Sequence, residues 1–152
     1  MAANPEAVRR LAANPSFELG LHGWTHDRVE GRGEADLCGD LSACFDELER
    51  RTGRRALLYR PPYGRCTARE ARIAAGLGVS TIEYDLPAGD SDPSFSAGRL
   101  TRWVVGQAKP GSIVIFHVNG KGRHTAGALP GILEGLRARG LAPVTVGRLL
   151  AP

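Results

Sequence analysis

The chain has 152 residues, of which 42% are hydrophobic and 24% charged, and its formal net charge at pH 7 is +4. These values are typical of a globular domain with a sizeable core, and they exclude disordered and collagen-like chains. The basic residues are not clustered with aromatic residues into a stripe, so a nucleic-acid-binding surface is not expected.

The cysteines and the apolar runs exclude two further classes of protein. Cys38, Cys44 and Cys66 form no CxxC pair, and an odd number argues against a disulfide framework. No apolar run approaches the roughly 20 residues that a membrane-spanning helix needs. The first residues also lack the basic-then-apolar pattern of a signal peptide. As written, the sequence predicts a cytoplasmic protein, and an extracytoplasmic location would require a signal upstream of Met1.

Apolar residues at helical spacing predict five helices. Asn4 and Pro5 are typical of the cap and first turn of a helix, and Thr67 with Glu70 predicts a capping box. Thr125 is the predicted cap of the last helix. The five helices are expected at about residues 5–13, 34–52, 67–77, 96–108 and 125–139.

Short apolar runs between these helices predict five strands. Helix and strand alternate along the chain with no internal repeat and no linker, which predicts one α/β domain over residues 1–152 with parallel strands and helical crossovers. The fourth strand is apolar throughout and is expected to be buried on both faces. A complete unit of this kind usually begins with a strand, whereas this chain opens on a helix. The predicted strands are Phe17 to Leu21, Ala56 to Tyr59, Val79 to Tyr84, Ser112 to Phe116 and Pro143 to Val146.

Polar side chains follow four of the five predicted strands. In parallel α/β folds, functional sites assemble at the carboxyl ends of the strands, so these side chains are expected at a common edge. They are His22 and His26 after the first strand, Arg60 to Gly64 after the second, Asp85 and Asp90 after the third, and His117 after the fourth.

His22 and His26 form a candidate metal-binding pair, because two imidazoles four residues apart can reach one ion. A catalytic zinc site normally has three protein ligands and an open water position, so a further ligand is required elsewhere. Each residue also has a simpler explanation when taken singly. The histidine pair alone is a weak motif, Arg60 is explained by an exposed cation, His117 by a hydrogen-bonded core histidine, and Asp90 by an Asx turn.

Three segments resemble, in the correct order, motifs of the polysaccharide deacetylases, the NodB-like enzymes of carbohydrate esterase family 4. His22-Gly23-Trp24-Thr25-His26 resembles the family's histidine motif, and Arg60-Pro61-Pro62-Tyr63-Gly64 is similar to its Arg-Pro-Pro-Tyr-Gly segment. Gly111 to His117 resembles its late strand ending in a catalytic histidine. The tail from Ala128 to Leu150 resembles the closing helix and strand. The resemblance implies a distorted (β/α) barrel of parallel strands, here incomplete at the N-terminus.

The resemblance implies hydrolysis of N-acetyl groups on an amino-sugar polysaccharide, with an N-acetylated glycan as the partner. His22 and His26 would bind a divalent cation, with zinc the first candidate, which would polarise the acetamide carbonyl. His117 would be the general acid that protonates the leaving amine, and Asp90 would hold this histidine in place.

The Arg-Pro-Pro-Tyr-Gly segment would contribute the remaining implied roles. Arg60 would orient the catalytic base, which in this family is an aspartate. Tyr63, following Pro62, would place its backbone N–H where negative charge develops on the carbonyl oxygen.

The sequence departs from the family pattern at three places. The family opens with a strand ending in Thr-Phe-Asp-Asp-Gly, whose aspartates are the base and the remaining metal ligand, and no Asp-Asp pair occurs in this sequence. Ser91 stands where a tryptophan usually follows the acid. Asp27 stands where a proline often follows the second histidine, and its position next to His26 points it away from a shared ion. The simplest interpretation is a domain truncated before the first helix, with the missing strand upstream of Met1, so that hydrolysis by this chain is impaired; the alternative is a non-catalytic carbohydrate-binding or interaction protein of the same fold.

The missing first strand has a structural consequence. A sheet that lacks a strand presents an edge with unpaired backbone groups, which favours association with another chain. The sequence therefore predicts self-association through an exposed sheet edge.

Overall fold

The structure, a computed structural model, describes residues 4–151. Residue contacts divide the chain into two compact units, Met1–Glu83 with Leu150–Pro152 and Tyr84–Leu149. Each unit has its own cluster of buried apolar side chains. The expected single domain over residues 1–152 stays a prediction. None of the helices in the described part of the chain combines the length and the apolar character needed to cross a bilayer.

The first unit contains three predicted helices, all present near their expected bounds. The Asn4 side chain accepts a hydrogen bond from the backbone N–H of Ala7 at 3.4 Å, which caps the first helix as predicted. Gly53 adopts a left-handed conformation, with a φ of 65°, and ends the second helix. The elements are α1 (Pro5–Ala13), α2 (Glu34–Thr52), β1 (Leu58–Tyr59), α3 (Ala68–Gly76) and β2 (Ser80–Thr81).

The sheet of the first unit is short. β1 pairs in parallel with β2, and Leu21 forms an isolated parallel bridge with Tyr59. Leu21 N–H donates to the carbonyl of Leu58 at 2.8 Å, and Arg60 N–H donates to the carbonyl of Leu21 at 3.0 Å. The predicted strand from Phe17 to Leu21 is thus reduced to a single bridge. Its place beside β1 nevertheless sets the residues after Leu21 next to those after Tyr59.

The predicted capping box of α3 is only half formed. The Thr67 hydroxyl oxygen accepts a hydrogen bond from the backbone N–H of Glu70 at 3.1 Å. The Glu70 carboxylate, which is 1% exposed, turns inward and accepts a hydrogen bond from the hydroxyl of Tyr59 instead. Burial and the adjacent carboxylate both raise the pKa of Tyr59. Glu70 therefore ties α3 to β1 and leaves the cap to the threonine alone.

The second unit contains a parallel strand pair and two long helices. β3 begins at Leu86, two residues after the predicted end of the third strand at Tyr84, and the predicted strand itself is reduced to β2. Leu86 is opposite Val114 in the pair, and Pro87 is opposite Ile115. Proline is tolerated in such a short strand because it has no N–H to leave unsatisfied. The elements are β3 (Leu86–Pro87), α4 (Ala97–Gln107), β4 (Val114–Ile115), α5 (Thr125–Ala138) and α6 (Val146–Leu150).

Two expectations for the second unit are wrong. The predicted strand from Pro143 to Val146 does not form; the Thr145 hydroxyl oxygen accepts a hydrogen bond from the N–H of Arg148 at 3.3 Å and starts α6. The fourth predicted strand is half-buried rather than buried on both faces, because a cavity of about 460 Å³ borders residues 111–114 and 140–144.

The parallel pairing agrees with the expected α/β class. The strands within residues 4–151 form two separate parallel pairs, and the barrel implied by the resemblance is not seen among them. Self-association through a sheet edge stays a prediction.

Candidate functional site

The Leu21 bridge places His22 directly against the segment that follows β1. Nδ1 of His22 lies 2.6 Å from the carbonyl oxygen of Arg60, so this nitrogen carries the proton and donates it. Nε2 then holds the lone pair, and the guanidinium of Arg60 donates a hydrogen bond to it from Nη2 at 2.8 Å. Backbone and side chain of one arginine therefore fix both nitrogens of this imidazole.

His26 lies beside His22, as their spacing predicts. The two ring centroids are 4.8 Å apart, and the ring planes are nearly perpendicular, at 81°. His26 has a φ of 60°, which is unusual for a residue other than glycine. Such backbone strain is found preferentially at functional sites. The structure thus brings together the two imidazoles that the sequence proposes as metal ligands.

Asp40, which the sequence reasoning missed, holds the turn between the two histidines. Its carboxylate accepts hydrogen bonds from the N–H of Trp24 at 2.7 Å and the N–H of Thr25 at 3.1 Å, and another from the Thr25 hydroxyl. Burial opposes ionisation, but these hydrogen bonds and the nearby Arg32 outweigh it and lower the pKa of Asp40. An acidic residue within an amphipathic helix carries no sequence signal for this role.

The Arg-Pro-Pro-Tyr-Gly segment forms a tight turn after β1. Pro62 is buried, whereas Tyr63 is 50% exposed and has a φ of 60°. The Tyr63 ring centroid is 5.1 Å from that of His26. The Arg28 guanidinium lies over the Tyr63 ring, 4.5 Å from its centroid. A row of contacts therefore runs from Arg28 through Tyr63 and His26 to His22.

Asp90 and His117 form the second candidate group, on the second unit. Nδ1 of His117 lies 2.8 Å from Oδ1 of Asp90, and the backbone N–H of His117 donates to Oδ2 at 2.6 Å. Asp90 is only 4% exposed. Burial opposes its ionisation, but the hydrogen bonds from His117 and Thr125 prevail and lower the pKa of Asp90. The carboxylate therefore stays ionised and orients the imidazole.

Thr125 completes this group and is not the helix cap that the sequence predicts. His124 occupies the cap position of α5, and Thr125 is the first residue of the helix. The buried Thr125 hydroxyl donates a hydrogen bond to Oδ2 of Asp90 at 2.7 Å. Gly122 is also required here, because a Cβ at this position would overlap the carbonyl oxygen of His117 and lie 2.8 Å from the Thr125 hydroxyl oxygen.

Asp85 does not join either group. Its carboxylate accepts hydrogen bonds from the N–H of Ile113 at 2.6 Å and the hydroxyl of Ser112 at 3.0 Å, so it holds the start of β4. These hydrogen bonds, with the Ile113 N–H the strongest contributor, lower the pKa of Asp85. Its expected place among the functional residues is wrong, because its carboxylate binds the residues that lead into β4 rather than lying at the carboxyl end of a strand.

The described residues do not fit a complete catalytic metal site. Within residues 4–151, no three histidine, cysteine, aspartate or glutamate side chains are grouped closely enough to hold one ion. His22 and His26 supply two ligands, and Nε2 of His22 already accepts a hydrogen bond from Arg60. A catalytic zinc normally has three protein ligands. Asp27, next to the pair, is exposed and supplies no third ligand.

Comparison with known proteins identifies the family to which the chain belongs. The sequence model of the polysaccharide deacetylase family matches residues 1–82. The chain is 26% identical over 145 residues to a peptidoglycan-N-acetylglucosamine deacetylase of Bacillus cereus, covering 93% of this chain and 52% of the relative. It is 24% identical over 139 residues to a bifunctional xylanase/xylan deacetylase of Cellvibrio japonicus, covering 89% of this chain and 21% of the relative. The chain thus spans about half or less of these relatives.

Solved structures of low sequence identity share the fold. A pseudoenzyme of carbohydrate esterase family 4 from Bacillus anthracis superposes with a TM-score of 0.90 at 21% identity, over 99% of this chain and 52% of that chain. A family 4 carbohydrate esterase from Streptomyces lividans superposes with a TM-score of 0.84 at 23% identity, over 95% of this chain and 73% of that chain. The matching family model, which covers more than half of the sequence, shows that the chain belongs to the polysaccharide deacetylase family.

Proposed function

We propose that this chain hydrolyses N-acetyl groups on an amino-sugar polysaccharide and that its turnover is slow. The observation that carries the proposal is the Asp90–His117 pair, in which a buried, ionised carboxylate contacts both the backbone and the ring of one histidine. The named activities of the relatives, on peptidoglycan and xylan, support an acetylated glycan as the substrate class.

The proposed chemistry is the hydrolysis of an amide bond. Water adds to the acetyl carbonyl carbon, the C–N bond breaks, and the products are acetate and a free amine on the sugar. In this proposal, the ring of His117 protonates the leaving nitrogen from Nε2, because Nδ1 faces Asp90. Thr125 and the His117 backbone N–H share the Asp90 carboxylate, which keeps the ring in one orientation.

We also propose roles for the groups on the first unit. His22 and His26 would be two ligands of a divalent cation, with zinc the first candidate, and such an ion would supply polarisation of the acetyl carbonyl. The Tyr63 backbone N–H stabilises the developing oxyanion beside Pro62. Arg60, the proposed partner of a catalytic base, is engaged with His22. We attribute slow turnover to the missing third ligand among residues 4–151.

Acetate release from N-acetylglucosamine oligomers tests this proposal. The chain is assayed with and without added Zn²⁺, beside His117→Ala and the matched variant His124→Ala, which changes the neighbouring exposed histidine. We expect slow release that Zn²⁺ accelerates, and about a hundredfold loss in His117→Ala alone. Equal rates for the chain and His117→Ala would reject the role of the acid. Turnover as fast as that of a complete deacetylase would reject the proposed impairment.

A second candidate function is glycan binding without hydrolysis. It is favoured by the incomplete set of metal ligands and by the fold shared with a family 4 pseudoenzyme. This alternative predicts saturable binding of N-acetylglucosamine oligomers, no acetate release under any metal condition, and the same affinity in His117→Ala as in the unchanged chain.

A further inference from the structure

Arg28 presents a positive charge beside the histidine pair. Its guanidinium lies 4.5 Å from the centroid of the Tyr63 ring, and that ring lies 5.1 Å from the ring of His26. Stacking on an aromatic face holds an arginine in place without using its hydrogen-bond donors. Arg28 is thus oriented next to the candidate site with its N–H groups available.

Arg28 differs in this respect from the other arginines near the histidine turn. Arg32 forms ion pairs with Asp36 at 2.7 Å and Asp40 at 3.5 Å, and Arg60 donates to His22. No ion pair to Arg28 is found within residues 4–151, and the residue is exposed. The turn therefore holds one guanidinium whose charge no described carboxylate neutralises.

The two residues next to Arg28 in this row of contacts, His26 and Tyr63, have strained backbone conformations. His26 and Tyr63 are the two residues other than glycine with a positive φ in the described chain, and both have a φ of 60°. Their rings contact each other, and Arg28 covers one of them. Strain of this kind persists only where the surrounding structure enforces it, and it concentrates at binding sites.

We propose that Arg28, stacked on Tyr63, is a specificity residue that selects acetylated sugars bearing a carboxylate over neutral ones. The inference rests on the proposed glycan substrate and deepens it. A guanidinium matches a carboxylate through two parallel hydrogen bonds, whereas a neutral sugar offers only single hydroxyl acceptors. The carboxylate is carried either by a lactyl ether on an amino sugar or by a uronic acid.

Binding measurements on matched sugars test the proposal. The probes are the N-acetylglucosamine disaccharide, the N-acetylglucosamine–N-acetylmuramic acid disaccharide, and an acetylated xylan oligosaccharide with and without a glucuronic acid branch. Dissociation constants are measured by ¹H–¹⁵N NMR titration for the unchanged chain and for Arg28→Gln. Arg72→Gln is the matched control, because Arg72 is an exposed arginine on α3 of the same unit.

We expect at least one carboxylated probe to bind about three- to tenfold more tightly than its neutral counterpart, with the preference weakened by high salt. The preference should disappear in Arg28→Gln and persist in Arg72→Gln. The lactyl and uronic acid probes separate the two sources of the carboxylate.

Three outcomes would overturn the inference: equal affinity for charged and neutral probes, a preference that survives Arg28→Gln, or no measurable binding of any probe. Its failure is distinct from failure of the proposed hydrolysis. If the chain releases acetate but binds neutral and charged sugars equally, the proposed hydrolysis stands and the proposed role of Arg28 fails. If the chain prefers the carboxylated sugar but releases no acetate, the proposed role of Arg28 stands and the proposed hydrolysis fails.

Discussion

The guanidinium of Arg60 donates a hydrogen bond to Nε2 of His22 at 2.8 Å, on the nitrogen that a metal ion would use. The opposite nitrogen of the ring faces the carbonyl oxygen of the same arginine. One residue therefore orients the imidazole through its backbone and competes for its lone pair through its side chain. The positive charge of Arg60 also repels a divalent cation at this place.

Removing this guanidinium should strengthen metal binding. Arg60→Gln is expected to raise the affinity for Co²⁺ by about tenfold or more, since it removes both a competing donor and a repelling charge. The affinity is measured by isothermal titration calorimetry, with Arg72→Gln as the control for a change in net charge. An unchanged affinity in Arg60→Gln would contradict competition between this guanidinium and the ion.

Asp40 should stabilise the histidine turn more than other acids of α2. In Asp40→Asn, a single amide oxygen cannot serve the N–H groups of Trp24 and Thr25, which lie on different carboxylate oxygens. We expect a loss of about 1–3 kcal/mol in the free energy of unfolding, measured in urea. Asp36→Asn, which alters an acid whose side chain is 61% exposed, should change stability much less. Equal effects of the two variants would contradict this role.

Asp40 and Asp90 should make the protein sensitive to low pH. The pKa values of Asp40 and Asp90 are both lowered from the ordinary value of 3.8. A lowered pKa means that the ionised group favours the folded state, so this stability is present above about pH 4 and is lost as the pH falls through the folded pKa. The free energy of unfolding, measured in urea between pH 2.5 and 6, should fall towards low pH. In Asp40→Asn it should depend less steeply on pH. The same dependence of unfolding free energy on pH in the unchanged chain and in Asp40→Asn would contradict the stabilising role of the ionised Asp40.

Gly122 should be essential for the position of His117. A methyl group at this position would overlap the His117 carbonyl oxygen, so Gly122→Ala must displace the segment that leads to Thr125. Gly120→Ala is a matched control in the same loop, because no atom lies within 4 Å of the added carbon. We expect large NMR shift changes at His117 and Asp90 in Gly122→Ala and small ones in Gly120→Ala. Equal changes in the two variants would argue against the close approach.

The helices and the motif residues could be predicted from the sequence for local reasons. Helical spacing and caps such as Asn4 are properties of neighbouring residues, and the spacing of His22 and His26 alone places two imidazoles within reach of each other. The contacts of Asp40 and Thr125 could not be predicted, because each joins residues distant along the chain. Thr125 was misassigned as a cap because a threonine at a helix start has the same local pattern in either role.

The strands were predicted less well than the helices. Apolar runs reveal that a segment is buried, but the length of a strand depends on the partner beside it. The segment ending at Leu21 pairs at a single bridge. In the segment predicted from Pro143, the Thr145 hydroxyl caps a short helix, and no strand partner is present among the described residues.

The most direct test of the account compares acetate release from N-acetylglucosamine oligomers by the unchanged chain and by Asp90→Asn. The control is Asp92→Asn, an exposed aspartate two residues further on that contacts Ser94. The account predicts slow release by the unchanged chain, about a hundredfold less in Asp90→Asn, and no change in Asp92→Asn. Equal rates in Asp90→Asn and the unchanged chain, or no release by either, would contradict it.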